Sequence, residues 1–189
     1  MPRLLAWLVA SALLSACSST VNKVDVDAGR LVAGKPIGSL SCAYRLAELN
    51  DARPSGDRAG GLGVNMMLLS DPKQLIRNEF TKAGMLSPEA PDGRAVIINV
   101  KQVYLSQNLT TKIPVVVYEV RVHGQEPFIV RGQPASMNWN GTENEANGTL
   151  AKARQVANSQ VVTGLNDSCA NPEISPRPCR RRLRRRYFG

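Results

Sequence analysis

The stretch Pro114-Val115-Val116-Val117-Tyr118-Glu119-Val120-Arg121-Val122-His123 decides the fold class. Apolar or aromatic residues occupy every second position from Val116 to Val122, and Glu119 and Arg121 occupy positions between them. This period of two is typical of a strand with one face against a core and the other largely against water. The stretch therefore predicts a sheet with one face against a core.

Two further strands are predicted near this one. Ala95–Leu105 is apolar, but Ile98 and Val100 fall on one face of a regular strand while Val103 and Leu105 fall on the other. This change predicts a twist or bulge near Lys101-Gln102. Phe128–Trp139 also alternates. Pro134 lacks the N–H that a central strand donates, so this strand is expected at a sheet edge or with a bulge.

The first part of the chain is less regular. Alternation predicts a strand over Ile37–Leu46, and a short apolar run suggests a second strand over Val64–Leu69. Asn50–Gly63 contains several glycines and mixed charges and is interpreted as a loop. No Gly-Lys-Ser/Thr follows these glycines, so a nucleotide-binding loop is not expected.

Start signals indicate two helices. Asp71-Pro72-Lys73-Gln74 combines an N-cap acceptor with proline at the first helical position, which predicts a helix over 72–83. Gly84 is expected to take the left-handed C-cap conformation. Thr142-Glu143-Asn144-Glu145 is a capping box followed by apolar residues at helical spacing, which predicts a long helix over 143–166.

The chain length and composition fit one globular domain. The sequence has 189 residues, of which 43% are hydrophobic, and this share is inconsistent with a wholly disordered chain. The order of elements predicts an α+β domain over residues 36–170, with a mainly antiparallel sheet and two helices packed on one face.

The N-terminus has the features of a lipoprotein signal peptide. Arg3 precedes an apolar run that is too short to span a bilayer but suits a signal sequence, here assigned to residues 1–16. Leu14-Ser15-Ala16-Cys17 matches the lipobox, in which small residues admit the peptidase and the cysteine thiol carries the lipid. Cys17 is therefore the predicted lipidation site, bearing diacylglycerol and palmitate; the alternative is an ordinary secretory signal with a chance cysteine.

A polar segment follows the lipobox. Residues 17–35 are interpreted as a flexible tether, with a strand over Thr20–Val26 as the alternative. The absence of Asp after Cys17 is typical of lipoproteins sorted to the outer membrane, so an anchored domain that faces the periplasm is expected; inner-membrane retention stays open.

Three cysteines remain after lipidation. Export places Cys42, Cys169 and Cys179 in an oxidising compartment. A Cys42–Cys169 disulfide would tie the two ends of the fold together, whereas a Cys169–Cys179 bridge and free thiols are the alternatives. The chain has one histidine and no paired cysteine spacing, so no metal or other cofactor is expected.

The positive charge is concentrated in the C-terminal segment. The formal net charge is +9, yet residues 18–170 contain 16 Lys and Arg against 14 Asp and Glu. Residues 171–189 are predicted to be a disordered tail. The arginines expected to contact an anionic surface are Arg180, Arg181, Arg182, Arg184, Arg185 and Arg186. Nucleic acid is not an expected partner. Residues 18–170 lack an excess of positive charge, and an exported protein does not meet the nucleic acids of the cytoplasm.

Residues 64–167 resemble the YajG-like family of small bacterial lipoproteins. The resemblance rests on Leu75–Gly84, on Ala95–Val100, and on the final strand and helix beginning at Thr142. It implies a periplasm-facing anchored domain and carries no catalytic residues. The Cys42 region and the arginine tail depart from the family pattern.

Catalytic chemistry is not predicted. His123 is interpreted as a solvated residue at a strand end, and Glu143 and Glu145 as charges that favour a helix N-terminus. We therefore expect a non-enzymatic lipoprotein that is an interaction or accessory module for an unidentified envelope protein. The alternative is a structural lipoprotein whose tail binds anionic lipid or another acidic polymer. Trp139, Tyr118 and Tyr104 are candidate interface anchors, but a core role is favoured because the chain has few aromatic residues.

Overall fold

The computed structural model describes residues 22–26, 35–62, 65–107, 111–134 and 143–170. These residues form seven strands and two helices. The elements are β1 (Asn22–Asp25), β2 (Tyr44–Asp51), β3 (Arg58–Leu62), β4 (Asn65–Leu68), α1 (Lys73–Lys82), β5 (Arg94–Gln107), β6 (Lys112–Val122), β7 (Phe128–Gly132) and α2 (Glu143–Ala170).

The sheet is mixed, so the expectation of a mainly antiparallel sheet is wrong, while the α+β class holds. The strand order is β1-β4-β3-β5-β6-β7, and β2 additionally pairs with β5. The pairs β1–β4, β2–β5 and β3–β5 are parallel, and β3–β4, β5–β6 and β6–β7 are antiparallel. The chain passes from β2 through β3, β4 and α1 before it enters β5, and a long connection of this kind allows parallel neighbours.

The centre of the sheet follows the sequence pattern. A register shift lies between Val100 and Gln102, which confirms the predicted bulge. The bulge adds one residue to the alternation of side chains between the two faces of the sheet. As a result Val100 and Val103, three positions apart, are both buried in the core. On β6, Tyr118 is fully buried while Arg121 is exposed, as alternation predicts. β7 is an edge strand that ends at Gly132, before Pro134.

The two helices lie side by side over the same face. The Asp71 carboxylate accepts a hydrogen bond from the Lys73 N–H at 2.9 Å, which confirms the predicted start of α1. Gly84 has φ +97° and Met85 N–H donates to the Phe80 carbonyl, so the predicted left-handed cap is also present. The second helix extends to Ala170, four residues beyond its predicted end.

The N-terminal third differs most from the sequence-based prediction. β2 begins at Tyr44, so Cys42 precedes the strand instead of lying within it. β3 occupies part of the segment interpreted as a loop. Asn22–Asp25 form β1, which is the alternative to a tether left open for this segment. These short strands gain their stability from pairing with distant partners, which local patterns do not encode.

Candidate functional site

A disulfide joins the two ends of the folded domain. Cys42 and Cys169 are bonded, with their Cα atoms 6.3 Å apart, inside the range that disulfides span. Beside the bond, the Ser41 N–H and hydroxyl each donate to Asn166 Oδ1 at 2.9 Å. Arg94 Nη1 donates to the Ser168 carbonyl at 3.4 Å. We call the region around Cys42, Arg94 and Cys169 the disulfide end.

Tyr44 connects this end to the core. Its ring is fully buried, and its hydroxyl donates to the Leu165 carbonyl at 2.7 Å. Burial raises the pKa of the Tyr44 hydroxyl, and the neighbouring Arg94 opposes part of this rise. The phenol therefore stays neutral at physiological pH and acts as a structural donor.

Polar side chains meet between the two helices. Arg154 Nη2 lies 2.9 Å from Glu79 Oε1, and the exposed fractions of the two side chains are 5% and 11%. Asn158 Nδ2 donates to the other oxygen of Glu79. The hydroxyl of Tyr118, buried beneath the helices, has no hydrogen-bond partner in the described part of the chain, and burial raises its pKa. These four residues form what we call the interhelical cluster.

A cavity of about 10 Å³ adjoins the interhelical cluster. Tyr118 and Arg154 line it together with apolar side chains, among them Leu75, Val116 and Leu150. This volume is the size of one water molecule. The cavity is therefore at the lower limit of size for a single water molecule, and most of its lining is apolar.

The face of the sheet opposite the helices carries a charged and apolar patch. Glu119 pairs with Lys101 at 2.8 Å and with Arg121. A hydrogen bond from Lys101 and a second from Arg121 lower the pKa of the Glu119 carboxyl. Ile129 stands beside Glu119 in the register of β6 and β7, and its exposed fraction is 71%. We call these four residues the open-face patch.

The structure places few of the sequence-predicted site residues at a common site. Tyr118 belongs to the core, Tyr104 is half-buried on β5, and His123 is exposed after the end of β6. Glu145 is half-buried in the first turn of α2. The other predicted residues lie outside the part of the chain that the structure describes: Cys17, Trp139, Cys179, Arg180, Arg181, Arg182, Arg184, Arg185 and Arg186, together with the side chain of Glu143.

Sequence reasoning missed the interhelical cluster. Arg154 and Asn158 follow Leu150 at intervals of four, so they lie beside the apolar stripe of α2, and both are buried. A polar pair at core positions was the available signal, because such residues need buried partners. Within the described ranges, no group of three or more His, Cys, Asp and Glu side chains is arranged to hold a metal ion. Neither helix in those ranges has the length and hydrophobicity needed to cross a bilayer.

Comparison with solved structures finds only weak similarity of fold. No family model and no curated protein matches the chain, so the resemblance to the YajG-like family rests on the sequence pattern alone. The chain is similar to the crystal structure of protein XCC0632 from Xanthomonas campestris, which is described under the family name DUF330. The identity is 11%, the match covers 71% of this chain and 87% of that chain, and the TM-score is 0.42.

Proposed function

We propose that the protein is a lipid-anchored lipoprotein of the bacterial cell envelope. In this proposal Cys17 carries the lipid, and the domain faces the periplasm, with the outer membrane as the proposed site. The Cys42–Cys169 disulfide is the observation that supports export, because such bonds persist in oxidising compartments and are rare in the cytosol.

The domain itself is proposed to be a non-enzymatic interaction or accessory module for an envelope protein. The open-face patch supports this role, because it places an exposed isoleucine on an edge strand beside an ion-paired carboxylate. Edge strands and exposed apolar side chains are features through which sheets engage other chains.

The anchor is tested by expressing the protein and its Cys17→Ala variant in a bacterium. The wild type should remain with the membrane fraction and show the intact mass of a triacylated chain that begins at Cys17. The Cys17→Ala variant should lose the lipid mass, while a Cys179→Ala control retains it. An unmodified wild-type chain in the soluble fraction would contradict the proposal.

The interaction role is tested by placing a photo-crosslinking amino acid at Ile129 in the membrane-bound protein. We expect one discrete adduct, whose yield falls when Glu119→Lys is added. A crosslinker at Thr163, which is exposed on α2, is the matched control and should not give this adduct. Equal adducts at the two positions would contradict a role for the open-face patch.

A further inference from the structure

The outer edge of β7 carries backbone groups that point away from the sheet. The His123 N–H, just after β6, donates to the Ala95 carbonyl of β5 at 3.1 Å, so the odd-numbered residues of β6 direct their backbone groups toward β5. Glu119 is one of them and pairs with Ile129, which therefore directs its own N–H and carbonyl away from β6. In the described part of the chain, no strand lies on that side of β7.

Arg131 shows the same direction independently. Its N–H donates to Gln160 Oε1 of α2 at 3.0 Å and not to β6. The side-chain amide of Gln160 thus occupies the position that the carbonyl of a neighbouring strand would take. Gln160 is exposed, so its side chain can leave this position without disturbing the core.

The side chains of Ile129 and Arg131 lie on the open face of the sheet. The Phe128 ring lies close to Gly164 of α2, so Phe128 faces the helix. Alternate residues of a strand point to opposite faces, which places Ile129 and Arg131 on the other side. A strand added at this edge would set one of its side chains directly beside each of them.

We propose that the β7 edge binds an extended segment of the partner polypeptide, which adds to the sheet as an antiparallel strand. This inference rests on the proposed interaction role of the open-face patch. The segment carries a carboxylate opposite Arg131 and, two positions later, an apolar side chain opposite Ile129. Its backbone pairs with both residues, and one of its carbonyls replaces Gln160 at the Arg131 N–H. In this mode the backbone provides affinity and alternate side chains provide specificity.

The charges of the open face favour a carboxylate opposite Arg131. The charged side chains on this face of β5, β6 and β7 are Lys101, Glu119, Arg121 and Arg131. Glu119 pairs with both Lys101 and Arg121, so the surroundings of Ile129 suit an apolar contact. Arg131 donates from Nε to Gln133 Oε1 at 2.8 Å and forms no ion pair within the described ranges.

Charges on the turn and the helix beside this edge agree with that preference. Lys152 lies at the end of β7 that carries Arg131, because the next residue of α2 contacts Gly132. Glu126 and Asp167 lie at the opposite end, where β7 begins. The cations are therefore concentrated at the end where the carboxylate of the partner is expected.

Segments of this chain are less suitable occupants of the edge. The outward-directed positions of β7 and its flanks are Pro127, Ile129, Arg131 and Gln133, so a second copy of this strand supplies no carboxylate opposite Arg131. Residues 135–142 contain no carboxylate either. Residues 171–189 contain seven arginines, whose charge repels Arg131, and three prolines, which cannot donate to a ladder.

A fluorescent heptapeptide tests this binding mode. It has blocked ends and one glutamate, which a single threonine separates from a valine, and its other residues are serine and threonine. With the full lipidated chain in detergent micelles, we expect saturable binding by anisotropy, which Arg131→Glu weakens by about fivefold. A peptide with lysine in place of glutamate should prefer the Arg131→Glu variant. A peptide methylated on the glutamate and valine amides should not bind, because these N–H groups would donate to the β7 carbonyls.

Gln160→Ala provides a second test. It removes the side chain that competes for the Arg131 N–H, so the affinity for the glutamate peptide should rise by about two- to tenfold. Gln74→Ala, which removes a side-chain hydrogen bond from Gln74 to Asn78 on α1, is the matched control and should leave the affinity unchanged. Saturating peptide should also slow hydrogen exchange at the Ile129 amide.

Three results would overturn the proposal. The first is peptide binding that is insensitive to Arg131→Glu and to amide methylation. The second is absence of binding to both the wild type and Gln160→Ala, which would show that Arg131 and Gln160 only protect the edge. The third is a dimer in sedimentation that Ile129→Asp dissociates and the peptide does not, which would assign the edge to a second copy.

The crosslink at Ile129 separates this proposal from the interaction role itself. An adduct at Ile129 without peptide binding would overturn strand addition and leave the interaction role intact. Peptide binding without an adduct in the membrane-bound protein would overturn the interaction role and leave the chemistry of the edge intact.

Discussion

Cys42 and Cys169 are separated by 127 positions in the sequence and by 6.3 Å between their Cα atoms. The bond ties the segment before β2 to the last turn of α2. Asn166 makes non-covalent contacts beside it, since its side-chain nitrogen donates to the Ser39 carbonyl at 3.0 Å. The disulfide therefore reinforces a packing that other contacts also specify.

Replacement of both Cys42 and Cys169 by serine should lower the free energy of unfolding by about 4–5 kcal/mol, because the bond restricts a long loop in the unfolded chain. Urea denaturation of the oxidised wild type and the double variant measures this difference. Cys179→Ser is the control and should retain the wild-type midpoint. A midpoint for the double variant equal to that of the wild type would contradict the assignment.

Gly132→Ala should destabilise the domain by about 1–3 kcal/mol. A Cβ at this position would overlap the Ala153 carbonyl, so α2 would have to move away from β7. Gly148→Ala, on α2, is the control, because a Cβ there meets no atom within 4 Å. The free energy of unfolding of that variant should rise by up to about 1 kcal/mol, because alanine has a higher helix propensity than glycine. Thermal or urea unfolding should show shifts of opposite sign, and a shared sign would contradict this packing.

Glu79→Gln should lower the free energy of unfolding by about 3–5 kcal/mol, because it leaves the buried Arg154 guanidinium without its counter-charge. The double variant Glu79→Leu with Arg154→Met should lose much less, because no uncompensated charge then remains. Arg77→Met, on the exposed side of α1, should change stability by at most about 0.5 kcal/mol. Urea denaturation compares the four proteins. Equal losses in the single and double variants would argue against a coupled pair.

Asp51 should make stability depend on acidic pH. Arg53 donates from Nε and Nη2 to the two Asp51 oxygens at 2.7 and 2.6 Å, and these hydrogen bonds lower the pKa of the carboxyl. Because the folded pKa is lowered, the stabilisation is present above the ordinary value of about 3.9 and is lost as the pH falls through the lowered pKa.

The change in unfolding midpoint from about pH 6 to about pH 2 should therefore be smaller for Asp51→Asn than for the wild type. Asp92→Asn removes an exposed carboxylate before β5 and should retain the wild-type change. An identical pH dependence in wild type and Asp51→Asn would show that the Arg53 contact contributes nothing to acid stability.

Local patterns explain which elements were predicted well. The bulge near Lys101, the start of α1 at Asp71 and its end at Gly84 all follow from residues within a few positions of each other. Alternation and capping act over one strand or one helical turn, so a linear sequence displays them. β6 and β7 were located for the same reason.

Short or displaced strands were not predictable in this way. β3 lies in a segment whose glycines and charges indicate a loop, and Gly60 approaches Leu105 more closely than a side chain would allow. β2 begins seven residues later than its alternation suggests. Both strands depend on β5, which is more than 40 positions away in the sequence, so their pairing has no local signature.

The sequence by itself determined the α+β class, the two helices and the central strands, because periodicity and capping are properties of neighbouring residues. Only the tertiary structure decided that the sheet is mixed, that Glu79 meets Arg154, and that Cys42 lies beside Cys169. The physical reason is that hydrogen bonds, ion pairs and disulfides form between atoms a few ångströms apart. Which distant residues meet at that range is fixed by the path of the chain through α1 and by the direction of α2.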